Sequence, residues 1–319
     1  MADQLISTKE LPETLWKSAS GELALPPNLV SAYAKLVDKY GLQSVAIDTN
    51  PGDGPIGEDG QQGALDHFGR RFTGSCGRVQ LYSLDPHHTF QSTRDSFCRL
   101  FSSGSVRLLD IPFGAGAAAA TLLSVVAELR SAKLLPRLDL VVSIFGGEKN
   151  SHQLKLAQDL FAELAPWWLE NAIKVIWKFR KWDVLIDDDT TDLVDDWLDA
   201  GDQSPQFAVV VANFSGFLWT TTEAAGQRRY FDEAEPCLRQ IFSRAGKAKA
   251  AAYWLEPNRG PVAAKFFPKL KERVFKRFAR FEHVLEGFPS SEADLTHPMV
   301  AGNMFKVRAV GAHWRSNSL

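Results

Sequence analysis

The feature that most constrains the fold is a series of short apolar segments that alternate with helix-like segments after the first hundred residues. Five of these apolar segments are predicted to be strands: 106–111, 138–145, 173–185, 207–212 and 250–255. The stretches between them carry apolar residues at helical spacing. Strands that are apolar throughout and joined by helices form parallel sheets with both faces covered. The chain is therefore predicted to be α/β, with a doubly wound, mostly parallel sheet.

The two ends of the chain break this alternation. Near the carboxyl terminus, the strand-like segments 281–287 and 304–314 have no helix between them, so we predict an antiparallel pair at the sheet edge. At the amino terminus we expect a mainly helical addition over 1–105, followed by the α/β domain over 106–319. Residues 50–63 include five glycines and are predicted to form a flexible loop or lid.

Composition narrows the class of protein further. The chain has 319 residues, 45% of them hydrophobic, with 36 Lys and Arg against 38 Asp and Glu. This excludes a disordered chain and a globally basic nucleic-acid binder.

The scattered Cys76, Cys98 and Cys237 suit neither a disulfide framework nor a zinc site, and we expect no metal. Without a signal peptide or an apolar run of about 20 residues, we expect a cytoplasmic protein without membrane contacts.

The most informative local segment is a small-residue turn after the first predicted strand. Asp110 ends that strand, and Gly114 and Gly116 precede a predicted helix. Glycines let the backbone approach a ligand closely, and a helix amino terminus offers free N–H groups. With Ala119, the glycines also fit the dinucleotide pattern G-x-G-x-x-A, but no acid follows about 20 residues later. An NAD-dependent oxidoreductase is therefore a disfavoured alternative.

This turn resembles motif I of the class I S-adenosylmethionine-dependent methyltransferases. The usual motif is an acid, an apolar residue and three small positions ending in G-x-G, and Pro112 here replaces the common first glycine. The resemblance implies that S-adenosylmethionine is the cofactor. It also implies that the cofactor is bound by Asp110, Pro112, Phe113, Gly114 and Gly116.

The resemblance continues in order over about 106–314. It implies that Glu148, after the second strand, binds the ribose hydroxyls, and that Asp183, after the third, meets the adenine amino group. Asn213 takes the motif IV position beside the transferred methyl group, and Glu256 lies in a common ending of the fifth strand. The family fold is a seven-stranded sheet with an antiparallel last strand, which agrees with the predicted closing pair.

The activity implied is methyl transfer from S-adenosylmethionine to an unidentified acceptor, which is a small molecule, an RNA or a protein. Enzymes that methylate exocyclic amino groups often carry two prolines after the motif IV acid or amide, and the segment that starts at Asn213 has none. In such a direct displacement the protein mainly aligns donor and acceptor. The alternative is a methyltransferase-like binding protein with weak or no catalysis.

Two further segments are candidates for contacts with ligands. The stretch 265–280 is predicted to be an amphipathic helix with a basic face. This face could contact the phosphates of a nucleic acid. The alternative is an ordinary helix that covers the sheet and turns its basic face to solvent. Its basic residues are Lys265, Lys269, Lys271, Arg273, Lys276, Arg277 and Arg280. The segment 64–86 precedes motif I, and in many relatives such a segment folds over the methionine end of the donor. Arg78 and Tyr82 are candidates there, with a core or surface role as the alternative.

Overall fold

The structure is a computed structural model that describes residues 6–48, 60–90, 93–199, 205–219, 229–258, 262–275 and 281–316. Within these ranges, ten strands form one sheet. The strands are β1 (Trp16–Lys17), β2 (Glu22–Leu23), β3 (Gly104–Ile111), β4 (Leu140–Glu148), β5 (Ile173–Lys181), β6 (Gln206–Ala212), β7 (Ala251–Pro257), β8 (Phe281–His283), β9 (Ser290–Thr296) and β10 (Met304–Ser316).

Seven of these strands form the main body of the sheet, in the order β5-β4-β3-β6-β7-β10-β9. The first five are parallel to one another. The last strand, β10, is inserted antiparallel between β7 and β9. The sheet is therefore seven-stranded and mostly parallel with an antiparallel last strand, which confirms the predicted fold class.

The segment 281–287, which was predicted to pair with the last strand, forms only a small part of that pairing. The segment 281–287 forms just β8, which pairs with the far end of β10 around Trp314. The long partner is β9, which no sequence pattern predicted. Only Ala293 and Leu295 of β9 are buried, because one face of this strand is open to solvent. The β1–β2 hairpin extends the sheet beyond β9.

Helices cover both faces of the sheet, as a doubly wound fold requires. They are α1 (Pro27–Lys39), α2 (Gln43–Ala46), α3 (Gln61–Leu84), α4 (Thr93–Leu100), α5 (Ala117–Ser131), α6 (Ser151–Glu170), α7 (Asp187–Leu198), α8 (Ser215–Leu218), α9 (Tyr230–Lys247) and α10 (Phe267–Leu270). One apolar cluster joins α1, α3, α5 and α6 to the sheet, and a second joins α7, α9 and α10 to its other face. Along β3, Leu108 belongs to the first cluster and Leu109 to the second.

The residues before β3 are mainly helical, as predicted, and they pack directly on the α/β core. Helix α3 contacts α5, α6 and β10. It also supplies Phe68 and Phe72, whose rings pack with Tyr33 of α1. The predicted loop at 50–63 is described only from residue 60 onward, and α3 already begins at Gln61.

The predicted basic helix is described over 262–275, where α10 is flanked on each side by a π-helical turn. Phe267, Leu270 and Val274 are buried against the sheet, as their spacing predicts. Residues 276–280 lie outside the described ranges. In the part of the chain that the structure describes, no helix has the length and apolar character needed to cross a bilayer.

Candidate functional site

The glycine turn lies at the carboxyl end of β3, between that strand and α5. Gly114 and Gly116 have φ angles of +54° and +78°, a region that favours glycine because side chains are strained there. A Cβ at Gly114 would meet no atom within 4 Å, so the space over the turn is open at this residue. A Cβ at Gly116 would lie 2.7 Å from the ring of Phe161. The turn is therefore packed from one side and accessible from the other.

Phe113 explains Gly146, the first of two glycines at the end of β4. Its N–H donates to the carbonyl of Gly147 at 2.8 Å, and its ring lies so close to Gly146 that a Cβ there would be 2.7 Å from the ring carbon Cγ. The ring of Phe179 is 4.4 Å away between centroids. Phe113 is 3% exposed, so its side chain belongs to the floor of the turn.

Asp110 caps α5 from beneath the turn. One carboxyl oxygen, Oδ2, accepts the N–H of Ala119 at 3.0 Å. The other, Oδ1, has no hydrogen-bond partner among the described residues. Burial raises the pKa of Asp110 to about 8, so this carboxyl group is largely protonated at neutral pH unless a cation approaches it.

Glu148 connects the turn to the end of β4. Its Oε2 accepts the N–H of Gly114 at 2.9 Å, and its Oε1 accepts the N–H of Asn150 at 3.0 Å. Burial raises the pKa of Glu148, although these hydrogen bonds oppose the shift. The backbone of Lys149 also bonds to this carboxylate, which has about four acceptor positions in all. Glu148 can therefore accept bonds from ligand hydroxyl groups without releasing the turn.

Asp183 follows β5 and lies next to the same edge of the sheet. Its Oδ1 accepts the N–H of Leu185 at 3.0 Å, and its Oδ2 pairs with Nζ of Lys149 at 3.0 Å. Asp110, Glu148 and Asp183 thus lie at the carboxyl ends of three neighbouring parallel strands. Ligands of open α/β sheets bind at this edge. The resemblance assigns all three acids to the cofactor, and that assignment stays a prediction.

Asn213 follows β6, with a φ angle of +59°. Its Oδ1 accepts a hydrogen bond of 2.8 Å from Nε of Arg78 in α3. Because a guanidinium group only donates, the amide oxygen must be the atom that faces Arg78. The amide nitrogen of Asn213 is left to donate to other partners.

Tyr82, the other candidate of α3, is buried and donates to the carbonyl of Ala312, so it has a core role.

Glu256 is a residue that the sequence analysis mentioned only as a strand ending, yet it holds motif IV in place. It is fully buried, and its Oε1 accepts the N–H groups of Phe214 and Ser215, each at 2.9 Å. The Ser215 hydroxyl and the Trp254 indole also donate to it, at 2.8 and 2.6 Å. Burial raises the pKa of Glu256 to about 7. The sequence carried one signal of this role, because Glu256 is an acid inside the otherwise apolar strand β7.

The basic segment after β7 is partly occupied by contacts within the protein. Lys269 and Arg273 both pair with Asp232 of α9, and Arg273 also pairs with Glu235. Lys265 and Lys271 are exposed. The remaining predicted contacts, Lys276, Arg277 and Arg280, lie outside the described residues.

Among the described residues, no three His, Cys, Asp or Glu side chains are grouped to hold a metal ion.

A scan against protein-family models and a search of curated proteins each found no match. Solved structures with a similar chain path include the rRNA methyltransferase aviRa from Streptomyces viridochromogenes. It is 12% identical, with a TM-score of 0.35, and the match covers 86% of this chain and 92% of that chain.

A second such structure is the METTL16 MTase domain, which is 13% identical with a TM-score of 0.30. The match covers 68% of this chain and 74% of that chain. The assignment of the fold rests instead on the strand order and on the antiparallel β10 of this chain. By these features, the chain has the mostly parallel seven-stranded sheet with an antiparallel last strand that the sequence resemblance implied.

Proposed function

We propose that this protein transfers the methyl group of S-adenosylmethionine to an acceptor held at the end of β6. The observation that carries the proposal is the link between the Gly114 N–H and Glu148. It joins the glycine turn to the acid of the neighbouring strand, at the edge of the sheet where ligands of α/β folds bind.

The residues at this edge fit an adenosyl cofactor. The space over Gly114 is open, and Glu148 retains acceptor capacity for a ribose hydroxyl. Asp183 is a hydrogen-bond acceptor for the adenine amino group, and the unpartnered Oδ1 of Asp110 favours a positive ligand above the turn. When bound, the cofactor supplies a methyl group on a sulfonium, which is already a good leaving group.

The role of the protein in this reaction is to align the acceptor with the donor and to exclude water. Asn213 orients the acceptor by donating from its amide nitrogen, because Arg78 occupies its oxygen. Glu256 keeps the segment after Asn213 in place through the N–H groups of Phe214 and Ser215. The acceptor is proposed to carry a hydrogen-bond acceptor near the methylated atom.

An NAD-dependent oxidoreductase fits the same chain less well. The dinucleotide fold has the strand order 3-2-1-4-5-6 without an inserted antiparallel strand. Here β10 separates β7 from β9 and runs antiparallel to both.

The test is calorimetric titration of the purified protein with S-adenosylhomocysteine, S-adenosylmethionine and NAD. We expect micromolar binding of the adenosyl compounds and loss of this binding in Gly114→Val. The matched control is Gly104→Val, because Gly104 also has a positive φ and open space but lies at the opposite end of β3.

If only NAD binds, the methyltransferase assignment is wrong. If a folded sample binds none of the three ligands, the alternative of an interaction protein without a cofactor replaces the proposal. Retention of binding in Gly114→Val would place the cofactor site elsewhere.

A further inference from the structure

We propose that aromatic and cationic side chains around α8 and the start of α9 form a stacking surface for the unstacked bases of a single-stranded nucleic acid. The stacking surface consists of Phe217, Trp219, Arg229, Tyr230 and Lys269. This inference deepens the proposed function and rests on it, since it assigns the acceptor class of the same site.

The position of the surface relates it to methyl transfer. Helix α8 begins at Ser215, two residues after Asn213, and carries Phe217. Helix α9 begins at Tyr230, whose ring stacks on that of Phe217 at 4.4 Å between centroids and 13° between planes. The surface therefore lies at the carboxyl end of β6, beside the residue proposed to orient the acceptor.

Three rings form a parallel stack that leads from the core to the surface. Phe214 is buried, and its ring is parallel to that of Phe217 at 5.7 Å and 5°. Phe217 and Tyr230 are partly exposed. Because Phe214 is buried and Phe217 already packs on two rings, Tyr230 is the member on which a base can extend the stack. Glu256 holds the backbone of Phe214, so the stack starts from a rigid anchor.

A second stack stands beside the first. The guanidinium of Arg229 lies 3.6 Å from the ring centre of Trp219, and Phe266 meets the edge of that ring at 89°. The ammonium of Lys269 lies 5.6 Å from the same ring. An arginine held over an indole offers a planar guanidinium to a base and N–H groups to a phosphate.

The combination favours a polynucleotide over a peptide as the occupant. Bases of any sequence stack on aromatic rings, and nearby cations contact the backbone phosphates. In duplexes the bases are already stacked on each other, so the surface should prefer single strands. The exposed Lys265 lies on the segment before Lys269 and extends the positive charge along this side of the site.

The test is fluorescence anisotropy with a labelled 15-nucleotide RNA of mixed sequence, the same sequence as DNA, and the RNA duplex. The protein is saturated with S-adenosylhomocysteine, and calorimetry verifies that each variant binds it. We expect single strands to bind more tightly than the duplex. Tyr230→Ala and Arg229→Gln should each weaken single-strand binding at least tenfold. A preference between the RNA and DNA strands then shows which kind of polynucleotide the surface favours.

The matched control is Tyr40→Ala, because Tyr40 is also a partly exposed tyrosine beside a cation, Lys39, but lies at the end of α1. It should bind the single strand like the unmodified protein. Ultraviolet crosslinking of the unmodified complex gives a second measurement that needs no variant. Mass spectrometry should locate crosslinks at Phe217, Trp219 or Tyr230.

Crosslinks confined to other regions would overturn the inference, as would equal binding by Tyr230→Ala and the unmodified protein. If the folded protein binds S-adenosylhomocysteine but no oligonucleotide, the stacking surface is wrong while the proposed methyl transfer stands. Failure to bind S-adenosylhomocysteine itself would contradict the proposed function instead.

Discussion

Two buried acids, Asp110 and Glu256, show how single residues link the sheet to the site. Each lies near the carboxyl end of its strand, and burial raises the pKa of each, to about 8 and about 7. Asp110 accepts one backbone N–H group, whereas Glu256 accepts four hydrogen bonds. The first acid has bonding capacity left, and the second is committed to holding motif IV.

The raised pKa of Asp110 predicts a dependence of stability on pH. Between about pH 4 and 8 the folded protein keeps the Asp110 proton while the unfolded chain releases it, so the free energy of unfolding falls as pH rises. Asp110→Asn should reduce this slope, by up to about 1.4 kcal/mol per pH unit. Urea denaturation at pH 5, 6, 7 and 7.5 measures it.

Asp139→Asn serves as the control for this slope, because Asp139 is exposed. It removes one surface carboxyl group, so its slope corrects for the change in net charge. An identical slope in Asp110→Asn and the unmodified protein would contradict the assignment of a protonated Asp110.

We expect two substitutions of Glu256 to lower the free energy of unfolding by different amounts. Glu256→Ala leaves the buried N–H groups of Phe214 and Ser215 and the indole N–H of Trp254 without an acceptor, at about 1–3 kcal/mol for each. We expect a loss of at least about 3 kcal/mol in the free energy of unfolding. Glu256→Gln keeps an acceptor oxygen and should lose about 1 kcal/mol. Chemical denaturation at pH 6 compares them, and equal losses would show that these bonds add little.

At the scale of elements, the end of β4 is shaped by the ring of Phe113. In the sequence, Gly146 and Gly147 directly precede Glu148, and no local pattern gives a reason for two glycines there. The structure supplies the reason, because the Phe113 ring takes the space of a side chain at Gly146. Leu193 and Ile111 take the space at Gly147. A long-range contact of this kind leaves only an unexplained glycine in the sequence.

This packing predicts that Gly146→Ala is destabilising, by about 1–3 kcal/mol, because the added Cβ overlaps the Phe113 ring. Phe113→Leu in the same chain should recover part of the loss. Gly74→Ala in α3 is the control, since its Cβ would make ordinary contacts at 3.7 and 3.8 Å and alanine favours helices. Thermal denaturation measures all three. Gly146→Ala with the stability of the unmodified protein would refute the packing argument.

At the scale of the whole molecule, α3 connects parts of the site that are distant in the sequence. Near its start, the carbonyl of Ala64 accepts the side-chain amide of Gln153 in α6. In its second half, Arg78 holds Asn213, and near its end Tyr82 bonds to β10. The amino-terminal addition therefore shares its core with the sheet and contributes a residue to the site.

This connection predicts that a fragment of residues 101–319 does not fold cooperatively. Without α3, the apolar residues of β10 and α5 that it covers would be exposed to water. We expect loss of near-ultraviolet circular dichroism and of a sharp thermal transition, and strong binding of a hydrophobic dye. A fragment that melts cooperatively would instead support 1–105 and 106–319 as separately folding domains.

The alternation of strands and helices, the turn at Gly114 and the acids Asp110, Glu148 and Asp183 were all available from the sequence. The alternation and the turn after Asp110 follow from periodicity and turn chemistry, which act between residues close together along the chain. Glu148 and Asp183 were singled out only by the resemblance to a known family. Strand β9 was missed because its exposed face carries polar residues, and the pattern then resembles a loop.

The tertiary structure alone decided which side chains meet at the site. Arg78 and Asn213 are 135 positions apart, and Glu256 reaches Phe214 from the neighbouring strand over 42 positions. Such contacts depend on strand order and on the path of α3 across the sheet. Local pattern thus determined the kind of fold and the turn at its edge. Long-range packing determined that Arg78 bonds to Asn213, that Glu256 holds the backbone after Asn213, and that aromatic rings stack beside them.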